Sequence, residues 1–281
     1  MARSISVTEG AGAAFGFLGR SWLRVAAALA LAGLLGAAAA IALAHREFAR
    51  VWLLGVAYLL AVAMAQGGLF RIAYAERHPS DQRHSLGFGG LQWGGVEWRL
   101  LGVALLRGGL FSLLGALVLT VLAAVYVGLA AAEAGPGLPV ADPSRWRHTL
   151  DPLGWTVMTG LGLAGAAGLG WLGLRLYLAY PATVAYGRIQ LLSTWPLTKG
   201  HVWRVLGCVV LALMAPAAGL GVAARIERGM LGSGPWSDDR MAAGVLSLVS
   251  CLGQSFLLLP LGVGLMSYLY DRLGPEDAGV S

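Results

Sequence analysis

Six basic side chains lie where apolar segments of this sequence begin or end, and their chemistry suits phosphate. They are Arg71, Arg107, Arg175, Arg188, Lys199 and Arg204. A planar guanidinium can donate two parallel hydrogen bonds to a phosphate, and an ammonium adds a point charge. The six could therefore form a basic collar that binds anionic lipid headgroups. The alternative is that each side chain reaches the membrane interface alone and only sets the orientation of the chain.

Other reactive residue types are sparse and scattered. The five histidines and the two cysteines, Cys208 and Cys251, do not fall at metal-ligand spacing. We find no nucleophile elbow, zinc-protease motif or phosphate-binding loop. No Asp or Glu is expected deep in an apolar segment, which disfavours ion-coupled transport. The sequence therefore predicts no enzymatic activity, no cofactor and no metal site.

The elements that must position these residues are six long apolar segments. They cover residues 25–44, 51–74, 100–131, 153–178, 205–223 and 242–270. A helix of about 20 apolar residues crosses the hydrocarbon core of a bilayer. Mean hydropathy is +0.70 and only 12% of the residues are charged. We therefore predict an all-α fold, a polytopic membrane helix bundle with six spans in one domain over residues 1–281.

The positive charges predict the orientation. If the N-terminus, the loops after spans two and four and the C-terminus share one side, that side holds 13 of the 20 Lys and Arg residues. Short cytoplasmic loops are enriched in these residues. This predicts a multi-pass protein of the bacterial plasma (inner) membrane with both termini in the cytoplasm. With a net charge of +6, we expect the basic residues to face the bilayer surface, and we expect no nucleic-acid partner.

The spans read as three helical hairpins, at about 1–76, 77–180 and 181–281. Trp98-Arg99 opens the third span, and Trp203-Arg204 opens the fifth. Tyr and Arg close the even spans in a similar way. Such residues anchor helices at the headgroup level. The pattern favours a parallel repeat, although interfacial Trp, Tyr and Arg occur in any six-span protein.

The connectors differ in character. Ser6 and Glu9 fit a helix-capping box, and the segment through Arg20 could lie along the membrane surface. The glycine-rich segment 78–98 predicts an irregular loop or short strands. We expect Pro181 to end or kink the fourth helix and a short helix to follow over 182–193.

Two features inside the spans concern packing. Pro216 and Pro260 predict kinks in spans five and six, which could open a cavity or only shape the bundle. The fourth span carries a small-residue face that lets another helix approach closely. A ligand-binding stripe is the alternative for that face, which consists of Gly160, Gly162, Gly165, Gly168, Gly170 and Gly173.

One part of the chain resembles a known family. Arg175-Leu176-Tyr177 leads to Pro181, then Trp195-Pro196-Leu197-Thr198-Lys199-Gly200, then Trp203-Arg204. This is similar to the glycerophosphoryl diester phosphodiesterase membrane-domain-like family of bacterial integral membrane proteins. In that family the phosphodiesterase activity belongs to a separate soluble barrel. The resemblance therefore implies a membrane module and no catalytic residue.

These observations together favour a structural or accessory membrane protein. It would bind anionic lipid, a protein partner or a second copy of itself through its cytoplasmic connectors. The alternative is a transporter or channel for a lipid or small amphiphile, with a cavity between spans five and six; an intramembrane enzyme ranks third. A glycine-packed interior would favour the first reading, and a polar cavity reaching mid-membrane would favour transport.

Overall fold

The computed structural model describes residues 5–76, 86–134, 150–232 and 239–274, and the side chains of 224, 226–232 and 239–243 are not described. Within these ranges the chain is helical and contains no strand. The helices are α1 (Val7–Ser21), α2 (Ala26–Ala44), α3 (Phe48–Ala75), α4 (Gly95–Ala134), α5 (Pro152–Arg175), α6 (Ala179–Tyr186), α7 (Val202–Val209), α8 (Ala215–Gly232), α9 (Asp239–Gly253) and α10 (Leu259–Leu273).

Six helical segments are long and apolar enough to cross a bilayer. They are Ala26–Ala44, Phe48–Ala75, Phe88–Ala132, Pro152–Tyr186, Val202–Ala223 and Gly244–Leu273. These coincide with the six segments predicted from hydropathy. The all-α membrane bundle is therefore confirmed, and the chain is a multi-pass membrane protein.

Contacts divide the chain into two compact units. The first contains residues 1–104 and 175–281, and the second contains residues 105–174. This division differs from the three predicted hairpins, because the second unit takes α4 from residue 105 onward and all of α5 except Arg175. The hairpin repeat stays a prediction.

The core of the first unit forms where α2 lies between α3 and α9. A Cβ on Gly36 would lie 3.1 Å from the ring of Tyr58 in α3, and one on Gly33 would lie 2.6 Å from Leu252 in α9. Leu29, Leu69 and Phe70 are buried beside these contacts. Small residues thus let the backbones approach closely, which is how membrane helices pack.

Helix α1 packs on α10 with one face, and its expected position along the membrane surface stays a prediction. Ser6 caps it as predicted, since the Glu9 N–H donates to Ser6 Oγ at 3.4 Å. Its buried face contacts α10: Glu9 accepts a hydrogen bond from Tyr268 at 3.1 Å, and Phe17 lies against Gly264. Phe17 is therefore covered by α10, whereas Phe15 of the same helix and Trp22 at its C-cap stay exposed.

Each proline in spans five and six follows a π turn. Val210–Met214 precedes Pro216, and Gln254–Leu258 precedes Pro260. Proline has no N–H and its ring collides with the carbonyl four residues earlier. A π turn moves that carbonyl, so the helix continues past the proline. The sequence predicted kinks at these positions but not the π turns.

The described part of the glycine-rich connector is an irregular loop. A 3₁₀ turn spans Phe88–Gly90, in which Gly89 and Gly90 have φ of 57° and 77°. A Cβ on Gly90 would also lie 2.9 Å from Val25 Cγ1. Glycine is needed here for both conformation and space. The irregular loop is confirmed for residues 86–94, α4 begins earlier than predicted, and residues 78–85 lie outside the described ranges.

The fourth span ends earlier than predicted. Helix α5 stops at Arg175, six residues before Pro181, and Pro181 lies in the first turn of α6. Proline costs little stability in the first turn of a helix, because the N–H groups there have no partner within the helix. The short helix expected over 182–193 is α6, which ends at Tyr186 because Gly187 adopts a left-handed φ of 62°.

Candidate functional site

Arg71, at the end of the second span, is held by a buried carboxylate. Its Nη2 donates to both oxygens of Glu97, at 2.8 Å and 2.9 Å. The Glu97 side chain is 0% exposed and that of Arg71 is 13% exposed. The Gly94 N–H donates to Glu97 at 2.8 Å, and a side chain at Gly67 would overlap the carboxylate. The pair therefore ties α3 to the first turn of α4.

This ion pair was not found by sequence reasoning. We expected no carboxylate deep in a span, yet Glu97 is fully buried at the start of α4. Its partner is 26 residues away, so helical spacing does not reveal it. The available signal was a Glu in the first turn after Gly94-Gly95, a position where an acidic side chain accepts from free backbone N–H groups. Arg71 thus already has an anionic partner within the protein.

Arg175 holds the turn that follows α6. Its guanidinium carbon lies 5.5 Å from the centre of the Trp195 ring, and Nη1 donates to Thr198 Oγ1 at 3.5 Å. Thr198 is buried. The structure therefore brings together Arg175 and the Trp-Pro-Leu-Thr turn, which are the two halves of the sequence pattern that carried the family resemblance.

The other predicted residues divide between the two units. Arg107 belongs to the second unit, and its guanidinium lies 5.7 Å from the Phe111 ring, one turn along α4. Lys199 and Arg204 belong to the first unit and are exposed. Neither forms an ion pair with a carboxylate in the described ranges. Trp203, beside Arg204, is 82% exposed.

The structure places the guanidinium of Arg99, a residue that the predicted collar did not include, beside Gly187, which precedes Arg188 in the chain. A Cβ on Gly187 would lie 3.6 Å from Arg99 Nη1, and one on Gly102 would lie 2.9 Å from Ile189. The segment after α6 therefore lies on the first turns of α4. Both arginines are exposed, and neither pairs with a carboxylate of the described chain. In the sequence, Arg99 could have been recognised as an interfacial residue from the Trp98-Arg99 pair at the start of the third span.

Aromatic residues lie close to these two arginines in the sequence. Trp98 is 60% exposed and meets Trp93 edge to face, with ring centres 5.0 Å apart. Tyr186 ends α6 and is also exposed. We name Trp93, Trp98, Arg99, Tyr186 and Arg188 the arginine–tryptophan patch. Indole rings favour the headgroup level of a bilayer, where guanidinium groups meet phosphate.

A separate groove lies beside α1. Its walls are apolar and include Phe15, Leu18 and Trp22 of α1, Leu220 of α8, and Phe256 and Leu257 of the π turn in span six. Its volume is about 430 Å³, and it is open on one side. It lies next to spans five and six, where the sequence placed a cavity for the alternative function.

Metal-binding groups are not clustered in the part of the chain that the structure describes. No three His, Cys, Asp or Glu residues of the described ranges lie close enough to hold an ion together. Cys208 and Cys251 are free thiols in spans five and six.

The fold and the site define a class, the multi-pass α-helical membrane proteins. Beyond that class, comparison with known proteins adds nothing: no family model, curated protein or solved structure matches the chain. The family resemblance therefore stays a prediction.

Proposed function

We propose that this is an accessory protein of the bacterial plasma membrane that binds anionic lipid through the arginine–tryptophan patch. The observation that carries the proposal is the placement of Arg99 and Arg188. Both are exposed and without a carboxylate partner among the described residues, and the Arg99 guanidinium lies beside Gly187, the residue that precedes Arg188. Two guanidinium groups at the headgroup level are a suitable acceptor site for a lipid phosphate.

Close packing supports an accessory role over a transport role. In the first unit, a Cβ on Gly264 would lie 2.8 Å from Phe17, and one on Gly68 would lie 3.0 Å from Val25. Backbones at these positions approach through glycine, so little space separates the helices. A protein partner or a second copy would then bind through the connectors, where Lys199 and Arg204 extend the basic surface.

Retention of lipid by the purified protein tests the proposal. In native mass spectrometry with added phosphatidylglycerol and phosphatidylcholine, the Arg99→Gln/Arg188→Gln variant is expected to lose phosphatidylglycerol preferentially. A basic residue near an anionic surface contributes about 1 kcal/mol, so two predict a decrease of at least about tenfold. Arg50→Gln is the matched control, because Arg50 is exposed but pairs with Glu47 at 2.7 Å. Equal retention by all three proteins would reject the patch.

The orientation is tested separately. With both termini in the cytoplasm, a tag at either end should resist external protease in intact cells and be cut after lysis. Cleavage in intact cells would reverse the assignment of sides and move the patch to the outer face of the membrane.

The groove beside spans five and six favours a second candidate, a carrier of lipid across the membrane. Exchange of a fluorescent phosphatidylglycerol between leaflets of reconstituted vesicles separates the two. The accessory role predicts the rate of protein-free vesicles, and a faster rate would support the carrier.

A further inference from the structure

The position of the apolar groove indicates what fills it. Leu220 belongs to span five, and Phe256 and Leu257 lie near the middle of the span Gly244–Leu273. These residues belong to membrane-spanning helices, whose surroundings in a bilayer are hydrocarbon. Water would find few hydrogen-bond partners on these walls, since ordered water needs two to four polar groups. An alkyl chain is the ligand whose chemistry matches.

The groove is open at Gly19, whereas Leu220 fills the space beside Gly253. Gly19 of α1 and Gly253 of α9 are both part of the lining. A Cβ on Gly19 would meet no atom within 4 Å, so this position opens directly into the recess. Phe15, Leu18 and Trp22 recur on the same face of α1 at helical spacing, which continues the apolar wall along the helix.

A positive charge accompanies this apolar wall. Trp22, which lines the groove, and Arg24 lie in the same turn between α1 and α2. Arg24 is exposed and forms no ion pair with a carboxylate of the described chain. Arg20, one turn earlier, differs because Glu76 neutralises it at 3.4 Å. The chain thus places an exposed guanidinium two residues after Trp22, which lines the groove.

We propose that the groove holds one acyl chain of an anionic membrane lipid and that Arg24 binds the phosphate of the same molecule. This rests on the proposed function in that both sites take anionic lipid, but the residues involved are different. The bound lipid would cover Phe15, Leu18 and Trp22 of α1. It would thereby join α1 to spans five and six.

Filling the groove tests the acyl-chain site. Gly19→Leu places an alkyl side chain in the recess without a clash at Cβ, and Gly12→Leu is the matched control. Gly12 lies on the same helix, also has no atom within 4 Å of its Cβ position, and is not part of the groove. Both proteins are delipidated in a non-ionic detergent, titrated with dioleoylphosphatidylglycerol and analysed by native mass spectrometry. The Gly19→Leu protein should bind one lipid fewer, with affinity for that lipid reduced by about tenfold or more.

The charge is tested by the Arg24→Gln variant. It should keep a lipid in the groove but lose the preference for dioleoylphosphatidylglycerol over dioleoylphosphatidylcholine, since the acyl chains of the two are identical. An unchanged preference would remove Arg24 from the proposal. If Gly19→Leu does not fold, Leu220→Trp fills the groove from the opposite wall.

The outcomes separate this proposal from the patch. If Gly12→Leu and Gly19→Leu bind lipid equally, the groove proposal is overturned whatever the Arg99 and Arg188 variants do. If only the groove variants reduce binding, the groove stands and the patch falls. If Gly19→Leu changes the number of protein copies in the complex and leaves the lipid count unchanged, the groove binds a second copy and the lipid proposal is wrong.

Discussion

The two units of this chain use glycine differently. In the first unit, Gly33, Gly36 and Gly264 each lie where a Cβ would press on a neighbouring helix. In the second unit, only Gly165 among the six glycines of the predicted small-residue face has a neighbour that close, Val118 at 2.7 Å, and Gly173 is in ordinary contact with Phe111 at 3.6 Å. Gly160, Gly162, Gly168 and Gly170 meet no described atom within 4 Å. Glycine density in a span is therefore not evidence of contact within the same chain.

The largest effect should come from the buried charge in the first unit. Glu97→Ala would leave Arg71 buried without its carboxylate, and breaking a buried ion pair costs about 3–5 kcal/mol. Thermal unfolding in detergent, followed by circular dichroism, measures the loss. Glu47→Ala removes an exposed pair and should cost at most about 1 kcal/mol. Equal melting temperatures for the two variants would contradict the structural role of Glu97.

A matched pair of glycines in α10 sharpens the comparison. A Cβ on Gly264 would lie 2.8 Å from Phe17 Cβ, whereas one on Gly262 meets nothing within 4 Å. Overpacking costs about 1–3 kcal/mol, so Gly264→Ala should destabilise the protein. Gly262→Ala should be neutral or stabilising by up to about 1 kcal/mol, because alanine favours helix. Thermal unfolding measures both, and a stabilised Gly264→Ala protein would show that α1 does not pack on α10 as described.

The smallest effects are expected in the second unit. A Cβ on Gly165 would lie 2.7 Å from a Cγ of Val118, which is stiff at χ1, but α5 is largely exposed and can shift as a whole. Gly165→Ala should therefore lower stability by less than about 1 kcal/mol, and Gly168→Ala should not lower it. Thermal unfolding in detergent measures both changes. A large loss for Gly168→Ala would mean that this face is covered by another chain, and the contrast between the units would disappear.

The spans could be predicted because the signal is local. Length and apolar composition decide whether a segment can cross a bilayer, and no tertiary contact changes that. The cap at Ser6 and the prolines in spans five and six were also readable from neighbouring residues. The exact end of the fourth span could not be predicted. Helix α5 ends at the turn after Arg175 and α6 ends at Gly187, whereas the sequence pointed to Pro181.

The candidate site was less predictable because it depends on distant partners. Arg71 and Arg175 carry the same charge as Arg99 and Arg188 in the sequence. Only the fold shows that Glu97 neutralises Arg71 and that Trp195 covers Arg175. Likewise, the apolar face of α1 could be read from its periodicity, but the packing of α10 against part of that face could not. Sequence patterns identify side chains that need a partner and leave open which partner they find.

The π turn in span six has a consequence for how that span reaches its neighbours. It adds one residue to a turn, so every side chain beyond it is rotated by about 100° around the helix axis relative to a continuous α-helix. Before the turn, Leu252 faces Gly33 of α2; after it, Gly264 faces Phe17 of α1. The extra residue sets the angular phase between these two contacts. Deleting one residue from Gln254–Leu258 would put the two halves of the span out of phase, so that it could dock on α2 or on α1 but not on both.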